Sequence, residues 1–358
     1  MSQTFQEIHP RFKLNGIAFS LDDLKEVGYC LIKEGDAFEI AIGNFLIDWA
    51  DDSDSIEVST SGSTGAPKKI KLQKVHMVNS AKATGSFFSL LPGNSALLCL
   101  PTDFIAGKMM LVRAMVLGLE LDYVVPNSIP LENTDKDYDF SAMIPLQLQN
   151  SLDKMNQVKT LIVGGAQLSV DLTQKVQDKQ TAVFETYGMT ETITHIAAKK
   201  VNHKKSSESN FQTLPDIAVS TDNRSCLVID APNISHELVV TNDVVHLISD
   251  SEFEWLGRYD GIINSGGIKL IPEKIEAKLA SIITNQFFVA GTPDEILGQK
   301  MILIIETSSE HPNLLQKIKE LSALEKFEIP KAIFYLEKFI MTENGKIQRS
   351  KTIALALK

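Results

Sequence analysis

The chain has 358 residues, 44% hydrophobic and 22% charged, which is too long for one compact core and suits two or three globular domains. Its formal net charge of −10 argues against nucleic-acid binding or a membrane-surface role, while leaving room for a local basic pocket that takes an anionic substrate. The N-terminus "MSQTFQEIHPRFKLNG" has no apolar run behind a basic start, so no secretory signal is expected and a cytoplasmic protein is.

In chain order, short apolar runs alternate with amphipathic stretches. "SALLCL" (95–100), "TLIVGG" (160–165) and "TAVFETYG" (181–188) predict buried strands, with helices over "KMMLVRAMVLG" and "VDLTQKVQDK". The most apolar stretch, "MMLVRAMVLGLELDYVV", is broken by Arg113, Glu120 and Asp122, so no integral membrane contact is expected. Strand–helix alternation predicts an α/β fold with a largely parallel sheet, and such sheets hold ligands beyond the carboxyl ends of their strands. "KKVNHKKSSESN" reads as a solvated loop, and "CLVIDA" and "HELVVTND" as an antiparallel subdomain. A boundary at "GRYDG" (257–261) divides a large α/β domain, residues 1–259, from a small mobile α+β domain, residues 260–358. There "IINSGGIKL" predicts a hairpin turning at Ser265-Gly266-Gly267. "IPEKIEAKLASII" predicts a helix with Pro272 in its first turn and Ile275, Leu279, Ile282 and Ile283 on one face. "FFVAGT", "MILIIET" and "AIFYLEKF" add strands, and "LLQKIKEL" a helix. Cys30, Cys99 and Cys226 are scattered, with no CxxC and no histidine at metal-ligand spacing, and read as buried reduced thiols.

"TSGSTGAPK" (60–68) poses the functional question. Glycines let backbone N–H groups turn toward an anion, and hydroxyls and a lysine add donors and charge. It is not a G-x-x-x-x-G-K-[ST] loop, because Pro67 precedes the lysine and no hydroxyl follows it. Alone, the stretch reads equally as a flexible turn. It does, however, resemble the phosphate-binding signature of the adenylate-forming superfamily of acyl-CoA synthetases, luciferases and peptide-synthetase adenylation domains. Three more stretches resemble that family's motifs, in its order: "TYGMTE" (186–191), "GRYDGIINSGGIKLIPEKIE" (257–276) and "NGKIQR" (344–349).

The resemblance implies roles. Thr60, Ser61, Gly62, Ser63, Thr64, Gly65 and Lys68 would cradle the ATP phosphates. Gly164, Gly165 and Ala166, with Tyr187 and Gly188, would flank adenine, and Thr190 would donate to the α-phosphate. Glu191 would supply the hard oxygen that Mg²⁺ prefers. Asp243, in "TND" where the family has Thr-Gly-Asp, would take the ribose together with Arg258, and Asp260 would be the hinge. Gly266 and Gly267 would let the backbone approach CoA, and Lys269 would make a CoA contact at most. Lys346 would bridge the carboxylate and the α-phosphate, offsetting repulsion where two anions meet.

Two departures narrow the resemblance. The phosphate loop begins near residue 60, as in a compact member truncated ahead of it, and Phe104 falls where the family often has a gating histidine. "FIAGKMM", "YGMTETITHIA" and "RYDGIINSGGIKL" look most like compact bacterial o-succinylbenzoate–CoA ligases of menaquinone biosynthesis. Such an acid carries a second carboxylate, for which Lys108, Arg113 and His195 are the candidates; Arg113 reads equally as a helix-surface charge and His195 as a structural histidine. The expected ligands are a small carboxylic acid, ATP, Mg²⁺ and CoA, with oligomeric state left open. Rival readings are a synthetase for another aryl or fatty acid and a non-catalytic nucleotide-binding module of the same fold.

Overall fold

A computed structural model describes residues 8–59, 69–203, 210–341 and 347–358. Residues Thr60 to Lys68, the loop predicted to cradle the ATP phosphates, lie outside the described residues, as does Lys346.

In chain order the first part runs β1 (Lys13–Leu14), β2 (Ile17–Ala18), α1 (Leu21–Glu34), α2 (Ala37–Ala50), β3 (Ser55–Ser59) and β4 (Lys69–Gln73). Carboxylates start both helices: the Ser20 amide donates to Asp23 Oδ2 at 2.7 Å and the Asp36 amide to Glu39 Oε2 at 2.7 Å. Next come α3 (Lys74–Phe88), β5 (Ser95–Leu98), α4 (Ile105–Leu117), β6 (Glu120–Tyr123), β7 (Tyr138–Met143), α5 (Pro145–Asn150), β8 (Val158–Val163), α6 (Val170–Lys175) and β9 (Ala182–Gly188). Strands β1, β6, β5, β7, β8 and β9 lie side by side in parallel, as the strand–helix alternation predicts. Period-2 alternation sends their side chains to both faces. Ala96, Phe140 and Ile162 join one buried cluster with Trp49, Met77 and Met110, while Leu97, Leu161 and Val163 join another with Leu148 and Leu172.

The expected antiparallel segment is no separate layer. Strand β10 (His195–Lys200) pairs antiparallel with β9, and β11 (Phe211–Thr213), β12 (Ala218–Thr221), β13 (Cys226–Asp230), β14 (Val239–Ser249) and β15 (Glu252–Arg258) extend the same sheet in the order β10-β11-β15-β14-β13-β12. Helix α6 ends at Lys175, short of the predicted helix. The side-chain amide of Asn202, fully buried, takes the carbonyls of Val176 at 2.9 Å and Thr181 at 2.8 Å, which diverts the chain from further helical bonding.

Beyond β15 a second sheet forms from β16 (Ile263–Ser265), β17 (Ile268–Leu270), β18 (Phe287–Asp294), β19 (Gly298–Glu306) and β20 (Ala332–Leu336), with α7 (Pro272–Leu279), α8 (Leu314–Glu320) and α9 (Arg349–Ala356). The predicted hairpin turns at Gly266 and Gly267, both at positive φ (60° and 82°), where side chains are disfavoured. Pro272 opens α7, and Ile275, Leu279 and Ile283 are buried against Val289 and Leu303, with Ile282 partly buried beside them. Of the cysteines, Cys99 and Cys226 are buried, but Cys30 faces solvent from α1, against expectation. Among the described residues no helix is long and apolar enough to cross a membrane.

Candidate active site

The predicted adenine and ribose residues converge at the carboxyl ends of β8 and β9. Gly164 follows β8 directly, and the Thr186 hydroxyl of β9 donates to the Val163 carbonyl at 3.1 Å, holding the two strand ends together. Gly165 and Ala166 are exposed there. Tyr187 is half-buried with its ring edge-on to Phe253 at 5.3 Å, and its hydroxyl donates to Asp243 Oδ2 at 2.7 Å. Burial, and then the Asp243 charge, push the Tyr187 phenol upward, so it stays a proton donor.

Asp243 and Arg258 stand opposite each other across β14 and β15. Asp243 is nearly buried; its Oδ1 accepts from Trp255 Nε1 at 3.1 Å and lies 3.8 Å from Arg258 Nη1. The same guanidinium makes a two-pronged pair with Asp260, Nε to Oδ1 at 3.0 Å and Nη2 to Oδ2 at 3.1 Å, and this pairing lowers the Asp260 carboxyl. The expected ribose arginine therefore holds the expected hinge aspartate. Trp255 as a ligand of Asp243 escaped the sequence reading, because only strand register brings the two together.

Between Gly188 and His195 the chain reverses in a tight turn. The buried Thr192 hydroxyl accepts from the Met189 amide at 3.1 Å and lies 2.8 Å from the Thr194 carbonyl, tying both ends of the turn. This leaves Thr190 half-buried and Glu191 exposed on the turn. Glu191 makes no hydrogen bond or ion pair among the described residues, so its carboxylate is open to a cation that keeps most of its ligands as water and phosphate oxygen.

Behind this turn lies a buried polar cluster. Arg113 is 1% exposed, so it is not a helix-surface charge. Helix α4 buries Met109, Met110, Leu111, Val112, Ala114 and Met115 around it, leaving no solvent-facing position between 109 and 115. Its Nη2 lies 3.4 Å from His195 Nδ1 and 3.4 Å from Thr194 Oγ1, and its Nε has no partner. Arginine only donates, so His195 Nδ1 accepts and Nε2 carries the proton. Thr84 agrees: its hydroxyl donates to the Ser80 carbonyl at 2.9 Å and so accepts from His195 Nε2 at 3.4 Å. Burial, then the Arg113 charge, hold the His195 pKa well below its usual value, so the ring is neutral. Burial also pulls the Arg113 guanidinium down to about 9, still cationic at neutral pH.

Among the described residues Arg113 has no carboxylate partner, an expensive state for a buried cation. His195 lines a cavity of about 290 Å³ between α3 and the loops around Pro215 and Ile234, and the buried Ser80 hydroxyl at the same cavity is unpartnered. Lys108 does not join this cluster. Its ammonium sits 5.3 Å from the Phe45 ring, with Asp103 and Asp48 as its nearby charges. Phe104 precedes α4, partly exposed. Gly266 and Gly267 occupy the tip of the β16–β17 hairpin in the second sheet, with Lys269 on β17.

The AMP-binding enzyme model matches residues 58–232. A crystal structure of an acyl-CoA synthetase (AMP-forming)/AMP-acid ligase II-like protein from Dyadobacter fermentans is 34% identical, with 93% of this chain and 98% of that one covered at a TM-score of 0.62. The O-succinylbenzoate coenzyme A synthetase of Bacillus subtilis, solved with ATP and magnesium ion, shares the fold at 20% identity and a TM-score of 0.70, over 83% of this chain and 69% of that one. By sequence, the 2-succinylbenzoate–CoA ligase of Escherichia coli is 25% identical over 295 residues, 76% of this chain and 62% of the relative. That of Lactococcus lactis is 21% identical over 325 residues, 85% of this chain and 72% of the relative. This chain thus spans less than two thirds of the E. coli relative's length. Its likeness to the Dyadobacter protein, by contrast, runs nearly end to end in both chains, and the chain belongs to the AMP-binding enzyme family.

Proposed function

We propose that this chain is an AMP-forming acid–thiol ligase, and that its acid carries a second carboxylate, as o-succinylbenzoate does. In the first step an acid oxygen attacks the α-phosphorus of ATP, and the bond to the bridging oxygen of the leaving pyrophosphate breaks. In the second the CoA sulfur, losing its proton, attacks the acyl carbon and AMP departs. Tyr187, Gly164, Gly165 and Ala166 flank adenine; Asp243 accepts from the ribose hydroxyls, with Arg258 beside it. Mg²⁺ held at Glu191 would neutralise phosphate charge. The loop 60–68 takes the β- and γ-phosphates and Lys346 the meeting point of the two anions. We place the lobe boundary at residues 259 and 260, with Asp260 as the hinge that lets the C-terminal lobe present Lys346 and then the Gly266–Gly267 hairpin.

One observation supports a dicarboxylic acid above all: Arg113 is a buried cation beside the cavity with only neutral partners among the described residues. Neutral His195, between it and the cavity, would orient the acid by hydrogen bonding rather than by charge.

The test is thioester formation across a panel of acids with ATP and CoA. The expected order is o-succinylbenzoate far above benzoate and palmitate. A preference for palmitate would replace the substrate with a fatty acid, and no acid-dependent pyrophosphate release with any acid would leave a nucleotide-binding module. The Lys346→Ala variant should lose pyrophosphate release yet still pass supplied acyl-adenylate to CoA.

A further inference from the structure

Glu273, the second residue of α7, has no part in the roles above, yet its carboxylate lies between the two sheets. Its Oε2 is buried and unpartnered, and its Oε1 stands 3.9 Å from Arg349 Nη1. Across the hinge it presses on Gly257 near the end of β15. A Cβ at Gly257, whose φ is +152°, would fall 2.3 Å from Glu273 Oε2 and 2.7 Å from Ile271 Cγ2. A side chain at Gly257 would therefore have to displace the ends of the Glu273 and Ile271 side chains, so the carboxylate sits where it does because position 257 is glycine.

The groups around Glu273 divide into two sets. Within the second lobe, Arg349 Nη2 donates to Glu276 Oε2 at 3.0 Å, and Glu276 Oε1 accepts from the Val289 amide at 2.8 Å, so α9, α7 and β18 are knitted together. Glu273 reaches from this knot to the strand that carries Arg258, which itself holds Asp260 and faces Asp243. Burial raises the Glu273 pKa, its own amide, Arg349 and the Arg258 main chain oppose that, and Glu276 adds to it. The carboxylate is thus poorly solvated and held by groups from both lobes.

We propose that Glu273 is a positioning residue for the lobes: wedged against Gly257 and paired with Arg349, it holds the arrangement seen here and must release when the C-terminal lobe turns about Asp260. This rests on the two-step reading above, in which the lobe presents different surfaces to the two steps. Removing the carboxylate shifts the balance between arrangements, so one half-reaction gains on the other. A merely structural role would slow both alike.

The test uses the full chain with fluorescent labels on Cys30, exposed on α1, and on an introduced Glu310→Cys, exposed ahead of α8. The expected result is that Glu273→Ala broadens the inter-lobe distance distribution or adds a second population without any substrate. Glu273→Gln keeps the shape without the charge and serves if the alanine variant is unstable; it should move the distribution the same way, by less. An unchanged distribution in a folded variant overturns the proposal. In the same variants the ratio of pyrophosphate release to CoA transfer from supplied acyl-adenylate should change by about tenfold; a parallel fall in both also overturns it. A shifted distribution in a protein that forms no acyl-adenylate would sustain the positioning role and refute the ligase reading.

Discussion

Two buried cations, one at the start of α3 and one in α4, differ in how their charge is met. Lys74 is fully buried, and its ammonium donates to the Trp49 carbonyl at 3.0 Å, the Asp51 carbonyl at 3.0 Å and Asp51 Oδ1 at 2.7 Å. It satisfies carbonyls left open at the C-terminus of α2, where positive charge also opposes the helix dipole. Arg113 is as deeply buried but meets only a histidine, a threonine hydroxyl and a methionine sulfur among the described residues. The fold completes the first site by itself; in the reading proposed above, the second is completed by the acid's second carboxylate.

Substitution should separate the two. Arg113→Met keeps the side-chain volume and removes the charge. It should lower kcat/KM for a dicarboxylic acid by about 10²-fold and leave a monocarboxylic acid little changed, because a charged hydrogen bond is worth about 1.5–3 kcal/mol. Its thermal midpoint should hold or rise, since an unpaired buried charge is gone. A drop in stability without loss of selectivity would make Arg113 another Lys74. The reverse experiment is Lys74→Met, expected to cost about 2 kcal/mol in denaturant unfolding with the acid KM unchanged; this is below the cost of breaking a fully buried pair because Asp51 is partly exposed. A smaller effect should follow Thr84→Val, which deletes the acceptor for His195 Nε2–H. It should raise the acid KM about fivefold with kcat nearly unchanged, as an orienting contact of about 1 kcal/mol implies.

The smallest effect concerns pH. The folded His195 pKa lies below its unfolded value near 6.5, so the unfolded chain binds the proton first as pH falls. Stability should therefore decline as pH drops below 6.5. His195→Gln should flatten the slope of thermal midpoint against pH there without abolishing it, because His76, also lowered by burial and by His236, contributes in the same direction. An unaltered slope would mean that the ring is not held neutral.

Several site features were legible in the sequence because their causes are local. Short apolar runs marked β8 and β9, a Ser-Gly-Gly turn marked the β16–β17 hairpin, and Pro272 marked the start of α7. The order of motifs pointed to one end of the sheet, where Tyr187 meets Asp243 and Asp243 faces Arg258. The burial of Arg113 also had a signal that went unused: the apolar residues Met109 to Val112 and Ala114 to Leu117 surround it on every side of the helix.

What the sequence alone determined, then, is the strands β5, β8 and β9, the β16–β17 hairpin, the start of α7 and the family they serve, since these follow from spacing and side-chain chemistry along a few neighbouring residues. Tertiary structure alone decided that the antiparallel strands continue the parallel sheet and that Lys108 turns toward Phe45 and Asp48. It also decided that His195 carries its proton on Nε2 and that Glu273 bears on Gly257. Each of these depends on groups far apart in the chain, whose meeting is set by register and packing rather than by any local preference.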